Sequence, residues 1–245
     1  MIKLKAENIT VTYENAPVIE RVSLALSKGE IVSLIGASGS GKTTFFNAVA
    51  GLYKIDEGKV YLDGEDITGK TGRVSYMLQK DLLLSHYTII DNVSLPLVMK
   101  GEKKKYARKK AAEYFELFGL KGCEEKYPSE LSGGMRQRAA LLRTYLTGNE
   151  VVLLDEPFSA LDTITKSAMH SWYLDIMKKI GLSTIFVTHD IDEAILLSDR
   201  VYILSGIPGR ITDEIIIDLP KPRSIDEVTD EEFVKYKRLI REKIK

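Results

Sequence analysis

An α/β fold is predicted, and three observations predict it. The runs Ile31-Val32-Ser33-Leu34-Ile35, Val151-Val152-Leu153-Leu154 and Ser183 to Val187 are apolar almost without alternation. That is the pattern of strands covered on both faces of a parallel sheet. Helical stretches lie among them, Thr44 to Ala50 stopped by Gly51 and Thr165 to Ile180 closed by Gly181. Between the first strand and the first helix stands Gly36-Ala37-Ser38-Gly39-Ser40-Gly41-Lys42-Thr43, which fits the pattern G-x-x-x-x-G-K-[ST] without a mismatch.

The chemistry of that loop follows from its residues. Gly36, Gly39 and Gly41 let the backbone curl and bring its N–H groups to a polyphosphate. The helix behind points its positive end at the same anion. Lys42 adds a mobile cation for the β- and γ-phosphates, and the Thr43 hydroxyl can hold Mg²⁺. A nucleoside triphosphate site is therefore expected.

The elements before and after the loop read in order. Ile9 to Tyr13 alternates, Glu14-Asn15-Ala16-Pro17 breaks the run, and Val18 to Leu26 alternates again. Ser27-Lys28-Gly29-Glu30 turns the chain into the strand before the loop. After the first helix, Asp56-Glu57-Gly58 is expected to turn, Lys59 to Leu62 to form a strand, and Asp63-Gly64 to make a hairpin. Arg73 to Leu78 is a further strand ending at Gln79.

From about Leu82 to Asn149 the pattern becomes helical. Lys103 to Phe118 carries Ala107, Ala111, Tyr114, Phe115 and Phe118 at near-helical spacing, and Gly119 ends it. Leu131-Ser132-Gly133-Gly134 opens a helix from Met135 to Leu146. Beyond the third buried strand, Ile191 to Leu197 is helical and Arg200 to Leu204 is a strand. Ile207-Pro208-Gly209 turns into the alternating run Ile211 to Leu219, broken by Pro220 and Pro222. Thr229-Asp230-Glu231-Glu232 reads as a capping box for a charged terminal helix.

Composition narrows the class. The 245 residues, 44% of them apolar, suffice for one large domain or a core with a lobe attached, and 35 basic residues balance 35 acidic ones. That balance carries no general bias toward nucleic acid, and none is expected as a partner. The lone Cys123 can form neither an internal disulfide nor a zinc site, which suits a reducing compartment. Met1 to Glu7 lacks the apolar core of a signal peptide, and no uncharged apolar run nears the ~20 residues that span a bilayer. The basic run Lys103 to Lys110 reads as a solvated helix face.

Two further motifs complete the chemistry. Val151 to Leu154 delivers Asp155 and Glu156 at a strand end, where α/β sheets place their ligands. Asp155 can hold Mg²⁺ and Glu156 can polarise an attacking water. Leu131-Ser132-Gly133-Gly134-Met135-Arg136-Gln137-Arg138 sets a second anion-binding helix end shortly before that pair.

With the loop, these motifs resemble the ABC ATPases over nearly the whole chain. The resemblance implies a P-loop NTPase: a RecA-like core with a mixed sheet, an N-terminal antiparallel β subdomain and an inserted α-helical lobe. It implies one domain over 1–245, with core and β subdomain in 1–81 and 149–220, the lobe in 82–148 and a C-terminal helix in 221–245. ATP and Mg²⁺ are the implied ligands. Tyr13 matches the aromatic that stacks on adenine. Gly36 through Thr43 and the following Thr44 match the phosphate cradle. Ser132, Gly133 and Gly134 match the signature that caps ATP held by the other subunit of a homodimer. Thr43, Gln79 and Asp155 match the metal site. Glu156, His189, Lys42 and Gln79 match the catalytic set, and Ser159-Ala160-Leu161-Asp162 the loop that crosses to the partner. His86 and His170 match no motif and are taken as incidental.

Ser-Gly-Gly-Met-Arg-Gln-Arg, Leu78-Gln79-Lys80-Asp81-Leu82-Leu83 and the tail Pro208-Gly209-Arg210-Ile211 with Leu219-Pro220-Lys221-Pro222-Arg223 are similar to the nitrate, sulfonate, taurine and thiamine-precursor importer branch. That branch implies an importer of a small anionic or heterocyclic solute. Its partners are integral-membrane permease subunits and, indirectly, an extracytoplasmic solute-binding protein. Its place is peripheral, on the cytoplasmic face of the cell membrane. Lys80 to Leu97 matches the groove that receives a permease helix, with Leu82, Leu83, Leu84 and Tyr87 either lining it or in the core. Two alternatives stay open: a membrane-associated ATPase that moves no solute, as in cell-division relatives, and a DNA-repair ATPase. The latter usually carries a coiled coil or zinc-binding cysteines between loop and signature, and neither is present.

Overall fold

A computed structural model describes residues 1–221 and 223–244. The chain starts with β1 (Ile2–Tyr13) and β2 (Ala16–Ser27), joined by Glu14 and Asn15 with φ of 48° and 65°. That is the two-residue turn whose twist suits an antiparallel pair. Pro17 already belongs to β2, which tolerates it as an edge strand. β3 (Ile31–Ile35), wholly buried, leads through the glycine loop into α1 (Lys42–Val49). β4 (Glu57–Leu62) and β5 (Glu65–Asp66) return to the first sheet.

The expected turn at Asp56-Glu57-Gly58 is not a turn throughout, because Glu57 and Gly58 already pair within β4. Gly58 has φ 96°, and a Cβ there would lie 2.4 Å from the Glu7 carbonyl oxygen. The glycine answers an irregularity in the β1–β4 register rather than a chain reversal.

The middle of the chain supplies β6 (Ser75–Met77), α2 (Ile89–Met99), α3 (Lys104–Ala112) and α4 (Gly133–Tyr145). The helix expected to reach Phe118 stops at Ala112, and 113–119 continue as turns. Phe115 and Phe118 are fully buried all the same, at 1% and 0% exposure. On α3, Lys104, Arg108 and Lys110 pair with Asp91, Glu125 and Glu102, as a solvated charged face does.

β7 (Val151–Asp155), α5 (Thr163–Ile180), β8 (Ser183–Thr188), α6 (Ile191–Leu197), β9 (Arg200–Ser205) and β10 (Arg210–Ile216) follow. The tail forms a short 3₁₀ turn over Ile225–Thr229 and then α7 (Glu231–Lys243). The expected capping box does not form. Thr229 belongs to the 3₁₀ turn, Asp230 is the N-cap, and its side chain makes no cap hydrogen bond. Pro222, an expected breaker, and Lys245 lie outside the described residues.

The second sheet has the order β10-β9-β3-β8-β7-β6. All neighbours are parallel except β10, which runs antiparallel to β9. The sheet is therefore mixed, as expected. Alternate side chains of its buried strands feed two cores. Val32, Leu34, Leu153, Ile185 and Val187 meet Phe45 and Phe46 of α1 under the antiparallel sheet. Ile31, Ile35, Val152, Leu154 and Phe186 meet the helices of the other face. This two-sided burial is why these runs read as continuously apolar.

Candidate active site

Parallel pairing brings three strand ends to one edge: Ile35 stands beside Thr188, and Asp155 beside Val187. The glycine loop, the acidic pair and His189 thus meet without any sequence proximity. Part of the loop, Glu156 and His189 line an open cleft of ≈ 620 Å³, within the usual size of a small-molecule site, while Asp155 stands outside its lining. Its walls come from Val18, Ser38, Gly39, Gly41, Lys42, Thr43, Thr44, Gln79, Glu156 and His189.

The loop is held in shape by its own groups. Lys42 Nζ donates to the carbonyls of Gly36 at 2.9 Å and Ala37 at 2.8 Å, curling the loop around the ammonium. Burial pushes that ammonium below its ordinary pKa, against the pull of the Glu156 and Asp155 carboxylates. A Cβ on Gly36 would lie 2.1 Å from the Leu204 carbonyl oxygen, and one on Gly41, at φ 96°, 2.3 Å from Ile19 Cγ2. Gly36, Ala37 and Ser40 shape the loop from outside the cleft lining, and Ser40 Oγ is buried without a protein partner among the described residues.

Asp155 ends β7 and is 6% exposed. Its Oδ2 accepts from Thr43 Oγ1 at 3.1 Å and from the Tyr76 hydroxyl at 3.4 Å. Burial raises its carboxyl above the ordinary range, with Glu156 adding to the effect. Glu156 follows with φ 45°, a left-handed conformation that costs a residue with a Cβ about 1–2 kcal/mol. Its amide is anchored on the Val187 carbonyl at 3.0 Å. The carboxylate is held from both sides: Gln79 Nε2 donates to Oε2 at 3.1 Å, and His189 Nδ1 lies 3.2 Å from Oε1. Gln79 also reaches Ser159 Oγ at 3.4 Å, so it joins Glu156 to the segment after it.

The donor set suits a hard cation. Thr43 Oγ1, Asp155 and Gln79 offer oxygen, the ligand type Mg²⁺ prefers. No cluster of three or more His, Cys, Asp or Glu able to hold a metal occurs among the described residues. The cation would therefore need phosphate oxygens and water to complete its shell, as Mg²⁺ characteristically does.

Two groups of expected residues stand outside this cleft. Tyr13 is 69% exposed at the end of β1 and does not line it, whereas Val18 does. Ser132, Gly133 and Gly134 sit at the start of α4, where Ser132 Oγ caps the helix by accepting from Met135 N at 3.3 Å. A Cβ on Gly134 would meet Thr165 Cγ2 at 3.2 Å, so this glycine also lets α4 pack close to α5. Sequence reasoning missed Val18 and Tyr76. The position of Tyr76 in the strand just before Gln79 was the available signal, while only the fold brings Val18 to the cleft.

Residues 19–159 match the family model described as ABC transporter. The chain is 42% identical to the formylaminopyrimidine import ATP-binding protein of Halalkalibacterium halodurans, over 97% of this chain and 94% of that protein. It is 41% identical to the aliphatic sulfonates import ATP-binding protein of Bacillus cereus, over 91% and 86%. The chain belongs to the ABC transporter family. Among solved structures, this ABC ATPase resembles a dimeric ATP-binding cassette in a post-hydrolysis state bound to ADP and Pi. The TM-score is 0.75 at 29% identity, over 89% of this chain and 100% of that one. A cassette in its ADP conformation, 24% identical with a TM-score of 0.79, shares the fold over 97% and 99%. No described helix of this ABC ATPase is long and apolar enough to cross a membrane.

Proposed function

We propose that two copies of the chain close over two ATP molecules and use the cycle to drive import through membrane-embedded permease subunits. The observation that carries this reading is an incomplete site. The phosphate loop, Glu156 and His189 share one cleft, while the N-terminus of α4 with Ser132, Gly133 and Gly134 stands apart from it. A second copy supplies the missing cap.

In that arrangement the loop amides and Lys42 bind the polyphosphate. Thr43, Gln79 and Asp155 would hold Mg²⁺, which when bound neutralises phosphate charge. Tyr13, exposed on the β1–β2 hairpin, is available to stack on the base. Glu156 accepts the proton of the attacking water, and Gln79 and His189 orient its carboxylate until nucleotide takes over part of their hydrogen bonding.

The transmission path runs through a groove of ≈ 450 Å³ whose apolar lining includes Met77, Leu78, Leu82, Leu95, Pro96 and Met99. Leu82 and Met99 are 52% and 80% exposed, which suits a surface awaiting an apolar permease helix. Residues 82–148 would tilt as a lobe when that helix moves. The solute would be small and anionic or heterocyclic, delivered by an extracytoplasmic binding protein, with the ATPase peripheral on the cytoplasmic face. The sulfonate and formylaminopyrimidine import relatives support that reading.

Glu156→Gln tests the core of it. Hydrolysis should fall ~10²–10⁴-fold, the size of a general-base contribution, while ATP binding persists. With Mg²⁺ and ATP the variant should double its mass in solution. A variant that stays monomeric and turns over at the parental rate would refute the proposal.

A further inference from the structure

Outside the cleft, Glu193 and His170 form a buried ionisable pair that meets Thr188, the residue before His189. Glu193 is 3% exposed, His170 7% and Thr188 2%. His170 Nε2 lies 2.8 Å from Glu193 Oε1, and Lys166 Nζ lies 3.5 Å from the same oxygen. The Thr188 hydroxyl donates to the other oxygen, Glu193 Oε2. An ionised carboxylate only accepts, so His170 Nε2 acts as the donor of its contact with Glu193.

Asp190 closes the network on the other side of His189. Its Oδ2 accepts from Lys166 Nζ at 2.7 Å. Its Oδ1 caps α6 by accepting from the amides of Asp192 at 3.0 Å and Glu193 at 3.2 Å. The Asp190 amide in turn donates to Thr188 Oγ1 at 3.0 Å. Both neighbours of His189 are therefore fixed, while its own ring is 64% exposed and touches Glu156 alone among the described carboxylates.

The same groups reach the start of α5. Lys166 and His170 stand one and two turns into α5, whose N-cap is Asp162. The His170 ring also meets Phe158 edge-to-face at 5.0 Å, and Phe158 lies between Glu156 and the exposed Ser159 and Ala160. We infer that Lys166, His170 and Glu193 are positioning residues that set the orientation of His189 and join it to the start of α5, which follows directly on Ser159-Ala160-Leu161-Asp162, the loop whose resemblance sends it to the second copy. This inference rests on the ATPase reading above. A displacement of residues 159–162 on dimer closure reaches His189 through α5 and Glu193 as one packed unit.

Glu193→Gln tests it. The amide keeps the shape but replaces one acceptor oxygen by a donor, so it cannot satisfy Thr188 and His170 as the carboxylate does. ATPase kcat should drop about 10-fold with KM for ATP within about twofold, the size of the loss when a supporting hydrogen bond to a functional group is removed. The chain has three histidines, His86, His170 and His189, so ring-labelled protein yields a readable set of resonances. The His189 signals should move and those of His86 should stay. Lys166→Gln, at a less buried position, should move the His189 signals in the same way and is read if Glu193→Gln does not fold. Unchanged kcat in an active chain overturns the inference, and so does a fall in kcat with the His189 signals unmoved. The resonances need no turnover: if they move in the variant while the parent chain hydrolyses no ATP, the positioning stands and the ATPase reading falls.

Discussion

Asp155 is buried at the end of β7 beside a second carboxylate, and its charge has a sign that can be measured. Burial first, then Glu156, raise its carboxyl above the ordinary value, while the Thr43 and Tyr76 hydroxyls and Lys42 pull the other way. A raised carboxyl means that the folded chain holds the proton more tightly than the unfolded one. The stabilising contribution is complete below the unfolded value, near pH 4, and is lost as pH rises through the folded value. Asp155→Asn removes that loss. Without nucleotide it should melt higher than the parent at pH 8, and the gap should close toward about pH 4 in a series of melting curves. The loop glycines separate two other effects. Gly39 has φ 81° with open space around it, so Gly39→Ala should cost about 1–2 kcal/mol from backbone strain alone. Gly36→Ala drives a Cβ into the Leu204 carbonyl and should cost at least that much, about 1–3 kcal/mol, in urea unfolding.

At the scale of elements, α6 is clamped at both ends. Its first turn is held by Asp190 and Glu193, and its last carbonyls by Arg223 from the tail. Arg223 is 5% exposed and has no carboxylate partner among the described residues. Instead its guanidinium donates to the carbonyls of Ile195, Ser198, Ile217 and Leu219. A cation on the C-terminal carbonyls of a helix is favoured by the helix dipole as well as by hydrogen bonding. Arg223→Met should destabilise the fold by about 2–4 kcal/mol, because it leaves several buried carbonyls unpaired. Hydrogen exchange should show α7 opening before the sheet does. In the sequence the tail shows as a run of Pro, Lys and Arg, but the destination of the guanidinium is not legible there. Arg143 and Arg136 play a comparable part on α4. Arg143 donates to the carbonyls of Leu82 and Asp81, and Arg136 pairs with Asp81, so the groove segment after Gln79 is tied to the helix that begins at the signature.

At the scale of the molecule, the two faces of the mixed sheet divide the labour. One face carries α1 and the antiparallel sheet, the other carries helices that include α4, which begins at Ser132. A ligand that binds only the folded chain stabilises it by RT ln(1 + [L]/Kd), about 2.7 kcal/mol at a hundredfold excess over Kd. Mg²⁺ and ATP should therefore raise the melting temperature even where no dimer forms. Ser132→Arg separates that effect from assembly. It alters an exposed cap residue outside the chain's own cleft. In the Glu156→Gln background it should abolish the mass doubling seen by sedimentation while keeping the nucleotide-dependent rise in melting temperature.

What the sequence determined by itself was whatever short-range physics controls. Continuous apolar runs marked β3, β7 and β8, Leu131-Ser132-Gly133-Gly134 announced a helix start where Ser132 forms the N-cap, and Gly181 announced the stop that closes α5. The glycine loop declared its phosphate chemistry because backbone curvature and a neighbouring lysine are local properties. Only the tertiary structure decided which side chains share a space. It put Val18 at the cleft and left Tyr13 outside its lining, and it ended α3 at Ala112 while still burying Phe118. His170, which no motif claimed, became the buried partner of Glu193. Spacing along the chain sets backbone preferences over a few residues, but contacts between α5, α6 and β8 depend on how the sheet closes over its whole length.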